Sequence, residues 1–163
     1  MSPRKAWQAL AFLTTALYGG IAWLWFVELI PGSGGALPLD ARLIGYSVDE
    51  ARAYLAALTA PARAIYLNDM RVLDTIFPVC LAVFLAAPMI WALRGVWRAL
   101  ALLPIAFLLA DLGENAQIAA LLRTDEPSDA MIAAASTMTR VKFALLIASA
   151  IALTALFMRP KRP

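Results

Sequence analysis

Few residues of this 163-residue sequence can do chemistry, and most lie inside long apolar stretches. Asp111, Glu114, Asn115 and Ile118 follow an i, i+3, i+4, i+7 spacing, so they share one face of a helix. Two carboxyls one turn apart repel, and a proton held between them relieves the repulsion. That pairing suits general acid/base work and equally suits a proton relay. Asp111 and Glu114 are therefore the candidate catalytic residues. Arg140 is the expected partner, because a guanidinium suits buried bidentate pairing with carboxylates better than an ammonium does. Thr137 shares the Arg140 face, whereas Lys142 lies about 200° further round at 100° per residue and points nearly opposite. Asn115, Asp74, Tyr66, Glu28, Trp25 and Tyr18 complete the candidate binding set. Thr14, Tyr18, Ile21, Trp25 and Glu28 form one helical stripe, a pattern that also serves as bundle core, and Asp74 can pair locally with Arg71.

What is missing narrows the chemistry further. Without histidine there is no Ser-His-Asp triad, no imidazole metal site and no histidine pH switch. A single cysteine, Cys80, permits no internal disulfide and no Cys-x-x-Cys pair. Only carboxylates and Asn115 could ligate a metal, so neither a metal nor another cofactor is expected.

The elements that position these residues follow from composition. Hydrophobic residues make up 63% and charged residues 15%, against roughly 45–50% and 25% in soluble domains. The excess must face lipid, which excludes a cytosolic enzyme, a nucleic-acid module and a disordered chain. Four stretches are long enough to cross a hydrocarbon core: about 7–30, 72–93, 99–122 and 130–158. The fold class is all-α, an integral membrane four-helix bundle forming one domain over 1–163. The first span exceeds the apolar run of a signal peptide and lacks a small-x-small exit, so it is expected to be retained.

Between the first two spans lies Pro31-Gly32-Ser33-Gly34-Gly35, a flexible turn; no Lys-Ser/Thr follows it, as a phosphate loop would require. Ser47 and Glu50 then form a capping-box pattern ahead of Val48, Ala51, Leu55 and Leu58. A short amphipathic helix over about 48–60 is expected in this first outer loop, on the membrane surface or roofing the bundle. Pro61 suits the start of a further helical segment that runs through Tyr66 and Asp69 into the second span. Pro78 should kink that span.

Charge sets the orientation. Arg4, Lys5, Arg94, Arg98, Arg159, Lys161 and Arg162 lie on one side with no acid, while the opposite loops carry seven acids against five bases. Both termini are therefore expected in the cytoplasm, with the chain in the cell (inner) membrane. A rise of about 1.5 Å per residue puts Asp111 and Arg140 at matching depths near 15 Å below the outer ends of their helices.

Two patterns carry a resemblance: Arg63-Ala-Ile-Tyr66 with Asp69, Asp74 and Phe77-Pro78, and Asp111-Leu-Gly-Glu114-Asn115. Over residues 55–120 the chain resembles a bacterial family of small four-span membrane proteins, a likeness that stresses those positions without implying an activity. Signal peptidase II is similar in size, span count and use of two membrane aspartates, but its Asn/Asp-Arg and Asn-Ala-Asp signatures are absent here. The sterol-isomerase and sigma-2-receptor group is similar only in building a small bundle around buried acids and aromatics.

Two functions compete at this point. One is a lipid-facing enzyme or binder, its cavity open to the outer leaflet between the second, third and fourth spans and roofed by the outer-loop helix. Asp111 and Glu114 would be acid/base or anchoring groups, Arg140 a positioning cation, Tyr66, Trp25 and Tyr18 wall residues, and an amphiphile the ligand. The other is an accessory or assembly subunit whose charges lock the bundle, with Lys142 facing a partner helix or a second copy. Membrane lipids are the expected surroundings in both, and nucleic acid is excluded. Ion or proton conduction is the weakest reading, because no acid occupies the inner half of any span.

Overall fold

The computed structural model describes residues 2–158 and is helical, with no strand among them. Arg159, Lys161 and Arg162, part of the basic bias above, lie outside the described residues. Four helices of 29 to 33 residues are long and apolar enough to cross a membrane, so this is a multi-pass membrane protein. They are α1 (Pro3–Gly32), α3 (Ala60–Ala92), α4 (Gly95–Arg123) and α5 (Asp129–Phe157). A short helix, α2 (Val48–Ala57), precedes α3.

Each helix begins where local chemistry starts it. The Ser2 side chain accepts the Lys5 amide at the head of α1, with Pro3 in the first turn. The expected capping box of α2 is complete: the Ser47 amide donates to Glu50 at 2.7 Å and the Glu50 amide to the Ser47 hydroxyl at 3.2 Å. Hydrogen bonding from Ser47, its amide foremost, holds the Glu50 carboxyl below its usual range. Pro61 opens α3 as expected, and the Ser128 hydroxyl accepts the Met131 amide at the head of α5. The helices outrun the apolar windows read from the sequence, most clearly α3, which starts at Ala60 rather than near Val72. Apolarity marks only the lipid-facing stretch, whereas a helix continues to its cap. Pro78 and Pro88 both lie inside the continuous helical stretch Arg71–Ala92.

α1 packs along α3, α3 against α4 and α4 against α5, while α1 and α5 share no extensive seam. At the termini end those two do approach, where Trp7 stacks on Phe84 at 4.8 Å and meets Phe157 at 6.4 Å. The apolar interior falls into two parts. Near the termini lie Leu85, Ala86, Met89, Leu93, Ala101 and Leu153. On the loop side, Tyr54, Leu55, Tyr66, Met70, Ile118, Leu122 and Ile132 belong to a larger core. α2 is thus a roof on the bundle, and Arg63 fastens it by donating to Leu122 O at 2.6 Å and Leu55 O at 3.0 Å. The first of these carbonyls lies in the last turn of α4, where intrahelical partners run out.

Candidate functional site

Between the two apolar cores lies a polar layer to which four separate segments contribute. α4 presents Asp111, Glu114, Asn115 and Ile118 on one inward face, as the spacing requires; Asp111, Glu114 and Ile118 are buried there. α3 contributes Asp74, one turn beyond Met70 and also buried. α5 contributes Lys142, on the face that carries Ile132, Ala135, Ser136 and Thr139. The fourth contributor is the loop after α1, which turns inward and places Asp40 in the layer at 2% exposure.

Lys142 is the cation at the centre. Its Nζ forms an ion pair with Glu114, lies 3.5 Å from Asp111 Oδ1, and donates to the backbone carbonyl of Asp40 at 3.0 Å. This corrects the expectation that Arg140 pairs with the acids. Arg140 is exposed, its Nε donating to Ser136 O at 3.4 Å. The two bases do point to opposite sides, but the inward side is that of Lys142, and Thr137 is exposed beside Arg140. The small residues Ala135, Ser136 and Thr139 were the available signal: helices approach closely along small side chains, and Lys142 continues that stripe. Lys142 accordingly faces its own bundle, not a partner helix.

Asp40 was the residue that sequence reasoning missed, counted there among the outer-loop acids. A 3-10 turn, Leu39–Ala41, carries it, with Leu39 fully buried. The Tyr66 hydroxyl donates to Asp40 Oδ1 at 2.7 Å, and the Asp40 amide donates back to that hydroxyl oxygen at 3.4 Å. Burial pushes the Asp40 carboxyl up, against the opposing pull of the Lys142 ammonium and the Tyr66 hydroxyl. Gly45 and Ser136 hold the loop on α5. The Tyr46 amide donates to Ser136 Oγ at 2.9 Å, and that hydroxyl donates to Tyr46 O at 2.7 Å. Gly45 has φ +76°, and a Cβ there would come within 2.7 Å of Ser136 Oγ, so both conformation and contact call for glycine. The one sequence hint was apolarity: Ala36-Leu37-Pro38-Leu39 is too hydrophobic for a solvated loop.

A cavity of about 380 Å³ opens from this layer, within the size range of ligand pockets. Asp40, Asp74, Asp111 and Lys142 line its polar side. Tyr18, Ile21, Trp25, Ala41, Phe77, Phe107, Phe143 and Leu146 line the rest. Tyr18 meets Trp25 edge-on at 6.3 Å and Phe77 at 5.8 Å. Tyr18 is 51% exposed and stands midway along the 30-residue α1, so the mouth opens on the flank of the bundle between α1 and α5, which share no extensive seam, and not between the second, third and fourth spans as expected.

The sequence-derived residues thus separate. Tyr18, Trp25, Asp74 and Asp111 meet at the cavity. Glu114 is fully buried behind Lys142 and off the cavity wall. Asn115 ties α4 to α3, its Nδ2 donating to Asp74 O at 2.7 Å and lying 3.4 Å from Asp111 Oδ2. Tyr66 acts through Asp40. Glu28 is half-buried, does not line the cavity and has no ion-pair partner among the described residues. Asp74 and Arg71, which the sequence allows to pair, form no ion pair among the described residues, although both border a small crevice with Tyr66 and Asn115. No cluster of three or more Asp, Glu or Cys close enough to hold one metal ion occurs among the described residues. Chemically, the layer offers carboxyls and one ammonium to a polar group that enters from the side. No protein-family model, no curated protein and no solved structure matches the chain.

Proposed function

We propose that the protein binds a lipid-like amphiphile, its polar end in the layer around Lys142 and its apolar part leaving past Tyr18 into the bilayer. The observation that carries this reading is the flank-opening cavity with carboxyls at its inner end and aromatic rings at its mouth. A ligand reaching that mouth at mid-span comes through hydrocarbon, which selects an amphiphile over a water-soluble molecule. Asp111 is the acid/base candidate that can touch such a ligand, and Glu114 acts through Lys142 as a positioning residue.

The termini half of the bundle supports a functional role for the acids. It packs with no buried Asp, Glu, Lys or Arg among the described residues. Helices of this chain therefore associate without buried charge, and ionisable groups inside a membrane cost about 2.5–3.5 kcal/mol each on insertion scales. Charge retained at that cost points to a task beyond holding helices together. The reading as an accessory subunit with Lys142 against a partner helix loses its anchor, since Lys142 is satisfied within its own chain.

Photolabelling tests the proposal. A diazirine-bearing long-chain alcohol, presented to the protein in maltoside micelles, should label Tyr18–Trp25 of α1 and Phe143–Leu146 of α5. Filling the cavity with Ala41→Phe or Leu146→Trp should remove those adducts while the melting temperature holds. Adducts spread evenly over the lipid-facing surface and indifferent to both variants would overturn it.

The same reading places the protein in the inner membrane with both termini in the cytoplasm, on the strength of the basic residues flanking the termini side. An alkaline phosphatase fused after Pro163 should then be inactive, and an active fusion would refute this orientation.

A further inference from the structure

The charges around the cavity do not balance, and the imbalance has a sign. Four carboxyls, those of Asp40, Asp74, Asp111 and Glu114, surround one ammonium. Lys142 is committed to Glu114 and Asp111, and it reaches Asp40 only through the backbone carbonyl. Asp40 Oδ2 makes no hydrogen bond within bonding distance, only the unpartnered Trp25 indole N–H standing near that carboxyl, although the residue is 2% exposed. Asp74, itself 9% exposed, has neither an ion pair nor a side-chain hydrogen bond among the described residues. Both line the cavity. Buried charge without a partner is costly, so the site requires further positive charge, supplied by protons when it is empty or by a cation when it is filled.

Geometry decides which cation. The carboxyls are too dispersed to chelate a metal ion, since no group of three close ligands exists among the described residues. An organic cation spreads its contacts over a larger volume. The walls suit it, because the aromatic residues Trp25, Tyr18, Phe77 and Phe143 line them, and contacts between a cation and aromatic rings strengthen once water is excluded. Lys142 already illustrates this, its Nζ standing 4.8 Å from the Phe143 ring centroid. A space of about 380 Å³ sits near the small end of ligand pockets, enough for one head group and part of one chain.

We infer that the preferred ligand is a cationic amphiphile, a primary or quaternary amine on a single alkyl chain, with its nitrogen between Asp40 and Asp74. This deepens the proposed function and rests on its reading of the cavity. An anionic head group would meet the excess of carboxyls, and a neutral one would leave them uncompensated.

Competition against the diazirine alcohol separates the two levels. Dodecylamine, dodecyltrimethylammonium, dodecanol and dodecyl phosphate are each titrated in maltoside, and adducts outside the cavity report non-specific partition. The two amines should displace the label at concentrations about tenfold or more below dodecanol, with the phosphate weakest. Asp74→Asn should weaken the amines about tenfold more than it weakens dodecanol. Equal displacement by amine and alcohol, or stronger displacement by the phosphate, would overturn the cationic preference while the cavity reading stood. No displacement by any of the four would bring down both. Should Asp74→Asn fail to fold, Asp40→Asn takes its place, and the wild-type ranking is decisive by itself.

Discussion

Lys142 and Arg140 stand two residues apart on one helix, yet they occupy opposite worlds. Around Lys142 the neighbours are Asp111, Glu114 and the Asp40 carbonyl, and the side chain is buried. Around Arg140 there are the Ser136 carbonyl, the glycine turn at Gly45 and open surroundings. Residue type argued for the reverse, since guanidinium is the better partner for buried carboxylates. Helix packing prevailed. The face of α5 that carries Ile132, Ala135, Ser136 and Thr139 is buried in the bundle, and whatever base continues that face inherits the acids. A cation inside a small bundle is chosen by the face that small residues open, more than by its own chemistry.

Substitutions at these two positions can break or sharpen that contrast. The largest effect is expected from Lys142→Met, which keeps length and removes charge. It leaves the carboxyls of the layer without their ammonium, and removing one member of a buried pair costs about 3–5 kcal/mol. Thermal denaturation in maltoside should show a large loss of stability. Adding Glu114→Gln to Lys142→Met should recover part of it, which makes the two sites non-additive. A Lys142→Met protein as stable as the parent would remove the premise that the layer needs its cation.

The smallest effect is expected from Arg140→Ala. An exposed side chain with one long hydrogen bond to its own helix should change stability by no more than about 0.5 kcal/mol. In a double-mutant cycle, Arg140→Ala and Glu114→Gln should simply add. Coupling between those two, comparable to that of Lys142 with Glu114, would mean that Arg140 and not Lys142 meets the acids.

The sequence by itself determined much of this molecule. Composition required four membrane helices and no soluble core, because apolar surface in such excess has nowhere else to go. Local chemistry set the helix starts: Ser47 with Glu50, Pro61 ahead of the second span, and the i, i+3, i+4, i+7 face of Asp111, Glu114, Asn115 and Ile118. These signals are legible because each acts within one or two helical turns. Tertiary structure decided the rest. Which base meets those acids depended on how α5 is rotated against α4, and two residues separated by 200° exchange roles with that rotation. Asp40 was invisible among loop acids because its burial depends on Tyr66, 26 residues further along, and on Ser136 gripping Tyr46 across 90 residues. The cavity depended on α1 and α5 staying apart above Trp7 and Phe157. Periodicity tells a helix which face is apolar; only the packed bundle tells it which neighbour that face will meet.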